Sequence, residues 1–219
     1  VLLDLYGTLL DPASVAPAMP GGVGDREAAA HAALDAAVTQ AMALTMAGLH
    51  RPFPDLVAAG FRIVLERAGL RPDDGTLAPV VAAAGVMAPH EDAEPGMRAM
   101  AAAGSSLAVL TNGTADGAAA SLGAAGLDRL VLEVVSAEEV RAAKPDPRVY
   151  RHALERLEAD ETECCLVSAH WWDVLGAREA GLHTGWVARR EATFPVTVPD
   201  PSVSGASLLD VAEGVAALA

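Results

Sequence analysis

At 219 residues the chain is long enough for one large domain or a core with a modest insertion, and its 52% hydrophobic content supports a sizeable core. A formal charge of −14 without any cluster of Lys or Arg excludes a nucleic-acid partner, because phosphate binding draws on such clusters. No apolar run reaches the length of a membrane span, which excludes a membrane partner at this level. Asp4 interrupts the first apolar stretch and no basic segment precedes it, so no signal peptide is predicted. The two cysteines, Cys164 and Cys165, adjoin in ECCLVSA and read as reduced core residues, which points to the cytoplasm.

In chain order, Val1 to Tyr6 reads as a first strand, followed by the Pro/Gly-rich loop DPASVAPAMPGGVGD. Three helices are predicted next: Arg26 to Leu49, rich in alanine; Phe53 to Leu70, broken off by Arg71-Pro72; and Thr76 to Met87, with Pro79 in its first turn. Strand and helix then alternate. The strands are Leu107 to Thr111, Val131 to Val135, Cys164 to Ser168 and Thr184 to Ala188; the helices are Gly96 to Ala103, Ala115 to Ala125, Asp146 to Leu157 and Asp173 to Ala180. Gly104, Gly126 and Gly181 fall where helix ends favour glycine. Short apolar runs without alternation suit parallel strands covered on both faces. The expected fold is therefore α/β, a Rossmann-like, doubly wound parallel sheet. Residues 1–11 and 91–219 would form this core, and 12–90 a helical cap inserted after the first strand, over the sheet's active edge.

Ligands of open α/β sheets bind beyond the carboxyl ends of the strands. The first strand delivers Asp4, Tyr6 and Thr8 there; the second delivers Thr111, Asn112 and Gly113. Lys144, in AAKPDPRVY, follows the third, and Ser168, Ala169, His170, Trp172 and Asp173 follow the fourth. A strand-end carboxylate can attack carbon or phosphorus and form an ester, splitting one hard step into two. A nearby lysine keeps that carboxylate ionised and balances charge. Thr111 and Asn112 can hold the carboxylate or the substrate by hydrogen bonds, and Asp173 can hold the lysine or help activate a water. Asp173 could equally cap the helix it begins.

The segments DLYGTLLD, LTNG, KPDPRVY and SAHWWDVLGAREAGLHTGWVAR stand in the order and spacing of the haloacid dehalogenase superfamily, and the chain resembles its type II 2-haloacid dehalogenases more narrowly. The resemblance implies a Rossmann-like core with a helical cap, and hydrolytic displacement of halide from a short 2-halo acid through an aspartyl ester, without metal or cofactor. It implies Asp4 as nucleophile, Thr8, Thr111, Asn112, Lys144 and Asp173 as active-site residues, Ser168 and His170 as holders of the substrate carboxylate, Tyr6 as a pocket wall, Tyr150 near the site, and Trp172 and Phe53 as apolar walls around substrate or halide. Phosphatases of the superfamily carry a second Asp where this chain has Tyr6, and Gly-Asp where it has Ser168-Ala169. A halide leaves without a proton, so the second acid is not required. Two positions depart from the dehalogenase pattern: His170 replaces an asparagine, and Leu34 falls where the family's halide-binding arginine stands. The helix there holds no cation from Ala28 to Leu49; Arg26 and Arg51 flank it. The expected function is a haloacid dehalogenase-like hydrolase acting on a small molecule. The alternatives are a phosphatase or phosphonatase using Mg²⁺ at Asp4, or a non-catalytic binding protein on the same fold. The alanine-rich helix is compatible with close packing in a homodimer.

Overall fold

The computed structural model describes residues 1–218. Six strands form one parallel sheet: β1 (Leu2–Leu3), β2 (Ala108–Thr111), β3 (Glu133–Ser136), β4 (Cys165–Ser168), β5 (His183–Val187) and β6 (Val203–Gly205), in the order β3-β2-β1-β4-β5-β6. The chain winds outward from β1 to β3, then returns to place β4 on the other side of β1. The switch point between β1 and β4 is where such sheets open a ligand crevice.

Strands β2 and β4 are buried along their whole length, which is why they read as continuous apolar runs. One face is covered by α4 (Ala93–Ala102), α5 (Ala115–Ala124) and α8 (Leu208–Ala216), through Met97, Met100, Leu122, Leu208 and Val211. The other is covered by α6 (Pro147–Arg156) and α7 (Trp171–Glu179), through Val149, Tyr150, Leu154 and Ala177. Between β1 and β2 lie α1 (Arg26–Met46), α2 (Phe53–Arg67) and α3 (Asp74–Ala84). The chain enters and leaves this helical block at one place: Asp11 N–H donates to Ala88 O at 2.8 Å and His90 N–H to Leu9 O at 2.9 Å. Helices α1 and α2 pack with backbones almost touching; a Cβ on Gly60 would meet Ala33 O at 2.1 Å. Alanines of α1 such as Ala33 and Ala37 serve this contact. Among the described residues no helix is long and apolar enough to cross a membrane.

Several parts differ from the sequence expectation. Strand β1 is only two residues long, because after Leu3 the chain curls: Leu5 O accepts from the N–H groups of Thr8, Leu9 and Leu10, and Gly7 adopts a φ of 86°. The Pro-rich loop contains a 3₁₀ helix, Pro12–Ala18, capped by Asp11. Helix α3 starts earlier than expected because Asp73 caps it by accepting from Thr76 N–H, so Pro79 falls in its second turn. Strand β6 and helix α8 were not anticipated. The helix does carry a signal, a capping box between Ser207 and Asp210 ahead of Leu208, Val211, Ala212 and Val215.

Candidate active site

Asp4 follows β1 at the switch point, 5% exposed. Its N–H still pairs with Val167 O at 3.0 Å, which fixes the backbone against β4 and aims the side chain past the strand ends. Lys144 Nζ donates to Asp4 Oδ1 at 2.6 Å, to Asp173 Oδ2 at 2.8 Å and to Leu110 O at 3.0 Å. The three donors of the ammonium are thereby used, with Lys144 only 1% exposed. Asn112 Oδ1 accepts the Lys144 backbone N–H at 2.8 Å and so places the lysine loop. The Thr8 hydroxyl donates to Asp4 Oδ2 at 2.6 Å and accepts from Ala169 N–H at 2.9 Å, tying the β1 loop to the end of β4.

His170 closes the other side of Asp4. Its Nε2 lies 2.9 Å from Tyr6 O and 3.5 Å from Asp4 Oδ2. A carbonyl can only accept, so this nitrogen carries the proton. The ring stacks on Trp172, with centroids 4.9 Å apart. It also lies over Gly7, where a Cβ would come within 2.9 Å of its ring atoms. The glycine therefore serves both the turn and the histidine.

Burial alone pushes the Asp4 carboxyl up, but Lys144, His170 and the hydrogen bonds from Lys144 and Thr8 outweigh it and hold Asp4 below its ordinary value. Asp173 shares the same lysine yet is raised: burial and the neighbouring Asp4 charge exceed the help of Lys144 and Tyr150. Lys144 is itself raised, since Asp173 and Asp4 overcome its desolvation. Two carboxyls around one ammonium are thus driven apart, the nucleophile candidate toward the anion and its partner toward the acid. That is the pattern of divided acid–base roles.

The remaining predicted residues fall into two groups. Tyr6, Phe53, His170 and Trp172 line open space. Thr111, Ser168 and Tyr150 do not; they hold the others. Thr111 Oγ1 accepts from Gly113 N–H, and Ser168 Oγ accepts from His170 N–H. Tyr150 is fully buried behind Asp173 and donates to its Oδ1 at 2.7 Å, so in this structure Ser168 and Tyr150 make positioning contacts. Phe53 is anchored through its N–H, which donates to Glu138 Oε1.

Asp4, Asp173 and Ala169 do not make up a divalent-metal site. Asp4 and Asp173 direct an oxygen each at the Lys144 ammonium, and Ala169 offers no side-chain oxygen. Among the described residues no group of three or more His, Cys, Asp or Glu side chains is arranged to hold a metal ion.

A cleft of about 920 Å³ opens beside Asp4, between α1 and the loops after β1, β4 and β5. His31, Asp35, His170, Trp172, Arg189 and Arg190 are among its walls. Arg190 pairs with Asp35 across it at 2.8 Å, both more than half exposed. Arg189 is tied down by Asp92 at 2.7 Å and by Thr8 O at 3.1 Å. Leu34 lines the cleft and brings no charge. Arg51 lines a separate crevice and donates to His50 O. The cleft's arginines thus come from the fifth strand end, whose WVARRE segment was not read for chemistry in the sequence. The same strand-end rule that found Asp4 reaches them. His31 and His90 are half-buried cleft walls.

Comparison with known proteins places the chain in a family. Residues 1–181 match the family model of haloacid dehalogenase-like hydrolases. The chain is 30% identical to an (S)-2-haloacid dehalogenase of Pseudomonas sp. (strain YL), over 97% of this chain and 92% of that one. It is 30% identical to an (S)-2-haloacid dehalogenase of Xanthobacter autotrophicus, over 86% and 74% respectively. The solved L-2-haloacid dehalogenase of Xanthobacter autotrophicus with chloropropionic acid covalently bound superposes with a TM-score of 0.89 at 25% identity, covering 100% of this chain and 98% of that one.

Proposed function

Because the chain belongs to the haloacid dehalogenase-like hydrolases and is 2-haloacid dehalogenase-like within them, we propose that it hydrolyses (S)-2-halo acids to 2-hydroxy acids through an ester on Asp4. The observation that carries the reading is the Asp4 carboxylate itself. It is buried, held ionised by Lys144, His170 and Thr8, and lies beside Tyr6 and His170, which line the cleft, with Tyr6 standing where phosphatases carry a second acid.

In this reaction an Asp4 oxygen forms a bond to C2 as the carbon–halogen bond breaks, and the halide leaves with the bonding pair. Lys144 and Thr8 position the attacking carboxylate. Water then adds to the Asp4 carbonyl carbon and the bond from that carbon to the ester oxygen breaks. The 2-hydroxy acid departs with an oxygen that began on Asp4, and the water's oxygen remains on the aspartate. One proton is released overall. Asp173, raised toward neutrality by burial, is the group suited to receive it, with Tyr150 and Lys144 holding the carboxyl in place. The substrate carboxylate is held by His170 and backbone donors at the β4 end, and Arg189 and Arg190 stand at the cleft beside Asp11, Asp35 and Glu191. The chemistry requires no metal or cofactor, in keeping with the lysine between the two carboxylates. The partner is a small molecule.

A single turnover with enzyme in excess, in heavy-oxygen water, tests this. The label is expected in Asp4 and absent from the product. Label in the first-turnover product would mean that water attacks C2 directly and would sink the ester mechanism.

A further inference from the structure

Beside the cleft is a second pocket, of about 180 Å³, and its chemistry differs. Tyr6, Leu34 and Phe53 line both spaces, so the pocket begins at the wall two residues from the nucleophile. Beyond them it is walled by Val57, Val81, Ala84 and Met87 from the inserted helical block and by Ala120 from α5. No charged side chain lines it. Several of its polar groups are engaged: the Tyr6 hydroxyl pairs with Ser121 Oγ at 3.3 Å, Thr114 Oγ1 accepts from Gly117 N–H, and Gly113 N–H donates to Thr111 Oγ1. A departing halide is best held by a cation, and no cation lines this pocket. A small anion would leave most of the volume unfilled. A cavity of roughly 150 Å³ lined by Leu, Ile and Phe is known to stay dry and to bind benzene. This pocket is of that size and character.

We propose that the pocket is a substrate subsite that takes an apolar substituent on C2, an alkyl chain or aromatic ring of about benzene size, so that the preferred substrates are longer or aryl-bearing 2-halo acids rather than the shortest ones. The inference rests on Asp4 acting at C2 in the way proposed above. Its own basis is the continuity at Tyr6, Leu34 and Phe53, the size of the pocket and its mainly apolar, uncharged lining. Leu34 is the pivotal residue, because it makes the shared wall apolar and joins the reacting carbon to the pocket. The exposed rim at Pro54, Gly85 and Ala120 leaves the far end open, so a chain can extend beyond the enclosed part.

The test compares halide release from 2-bromopropanoate and 2-bromohexanoate, with the binding of halogen-free propionate and 3-phenylpropionate followed by calorimetry. Each buried CH₂ is worth roughly four-fold, so kcat/KM is expected to rise about ten-fold or more from the shorter to the longer bromo acid. Filling the pocket from its rim with Ala120→Phe, or from α3 with Val81→Phe, is expected to collapse that ratio, each variant first shown to be folded by its thermal melt. Turnover of both bromo acids with a flat or falling ratio would overturn the subsite and leave the dehalogenase reading standing. If neither acid released halide, the reaction would fall and calorimetry would judge the subsite. Binding of 3-phenylpropionate about ten-fold tighter than propionate, lost in Ala120→Phe, would support it, and equal binding would overturn it.

Discussion

The sheet edge and the helical wall that faces it are built on opposite plans. At the edge, Asp4, Thr8, Lys144, Tyr150 and Asp173 form a buried polar cluster in which each side chain has a named partner between 2.6 and 3.0 Å. The helical wall presents Leu34, Phe53, Val57 and Val81, with His31, Asp35 and Thr39 of α1 facing the cleft. A polar network in a low-dielectric site holds only if it is complete, so the edge tolerates almost no substitution. An apolar wall is fixed mainly by volume and can be re-cut. The reaction therefore resides in the edge, and the choice of substrate in the wall.

The largest blow to that division is Asp4→Asn, which keeps the shape and removes the nucleophile. Turnover is expected to fall by at least about 10⁴-fold, read as halide release. Next comes Lys144→Met, which leaves two buried carboxyls unpaired. A loss of about 3–5 kcal/mol in a urea melt is expected, together with loss of activity. A stability unchanged within error would show that the edge is not the interdependent network described.

Acidification sharpens the comparison inside the edge. Asp173 is raised and Asp4 lowered, so as pH falls Asp173 takes its proton first while Asp4 stays ionised. Attack on C2 then continues after the group suited to accept the water's proton is lost. The Asp4 ester is expected to accumulate at a pH still above about 4, the ordinary aspartate range. Intact-mass measurement of acid-quenched reactions reads this directly. An ester fraction that does not change with pH would remove Asp173 from the second step. The smallest effect is expected at the cleft rim. The exposed Arg190–Asp35 pair is worth little to the fold, so Arg190→Gln should leave the melt unchanged and raise KM for a 2-halo acid several-fold, less so in high salt.

The two regions were also unequally legible in the sequence. The edge could be read because strand ends are marked by short apolar runs stopping at polar residues: LLD, VLTN and LVSAH each place a site residue where the structure has it. Lys144 carries a further mark, as the chain's only lysine. Hidden were the finer roles. Nothing in the spacing says that Ser168 serves the His170 backbone or that Tyr150 stands behind Asp173, since these depend on which way side chains turn in a packed core. The inserted helices were found as helices, while their inner faces stayed unread, because alanine-rich helices show little contrast between faces. In α1 the buried residues are Leu34 and a run of alanines that differ from exposed alanines only in position. Strand β6 escaped because three residues, Val-Ser-Gly, at a sheet edge carry no run to detect.

Halide release from (S)-2-chloropropionate in chelator-treated buffer, with Asp4→Asn beside the wild type, tests the central claim most directly. The account expects release by the wild type that is unaffected by adding Mg²⁺ and is abolished in the variant. Release that survives Asp4→Asn, or its absence from folded wild-type protein with every 2-halo acid tried, would contradict it.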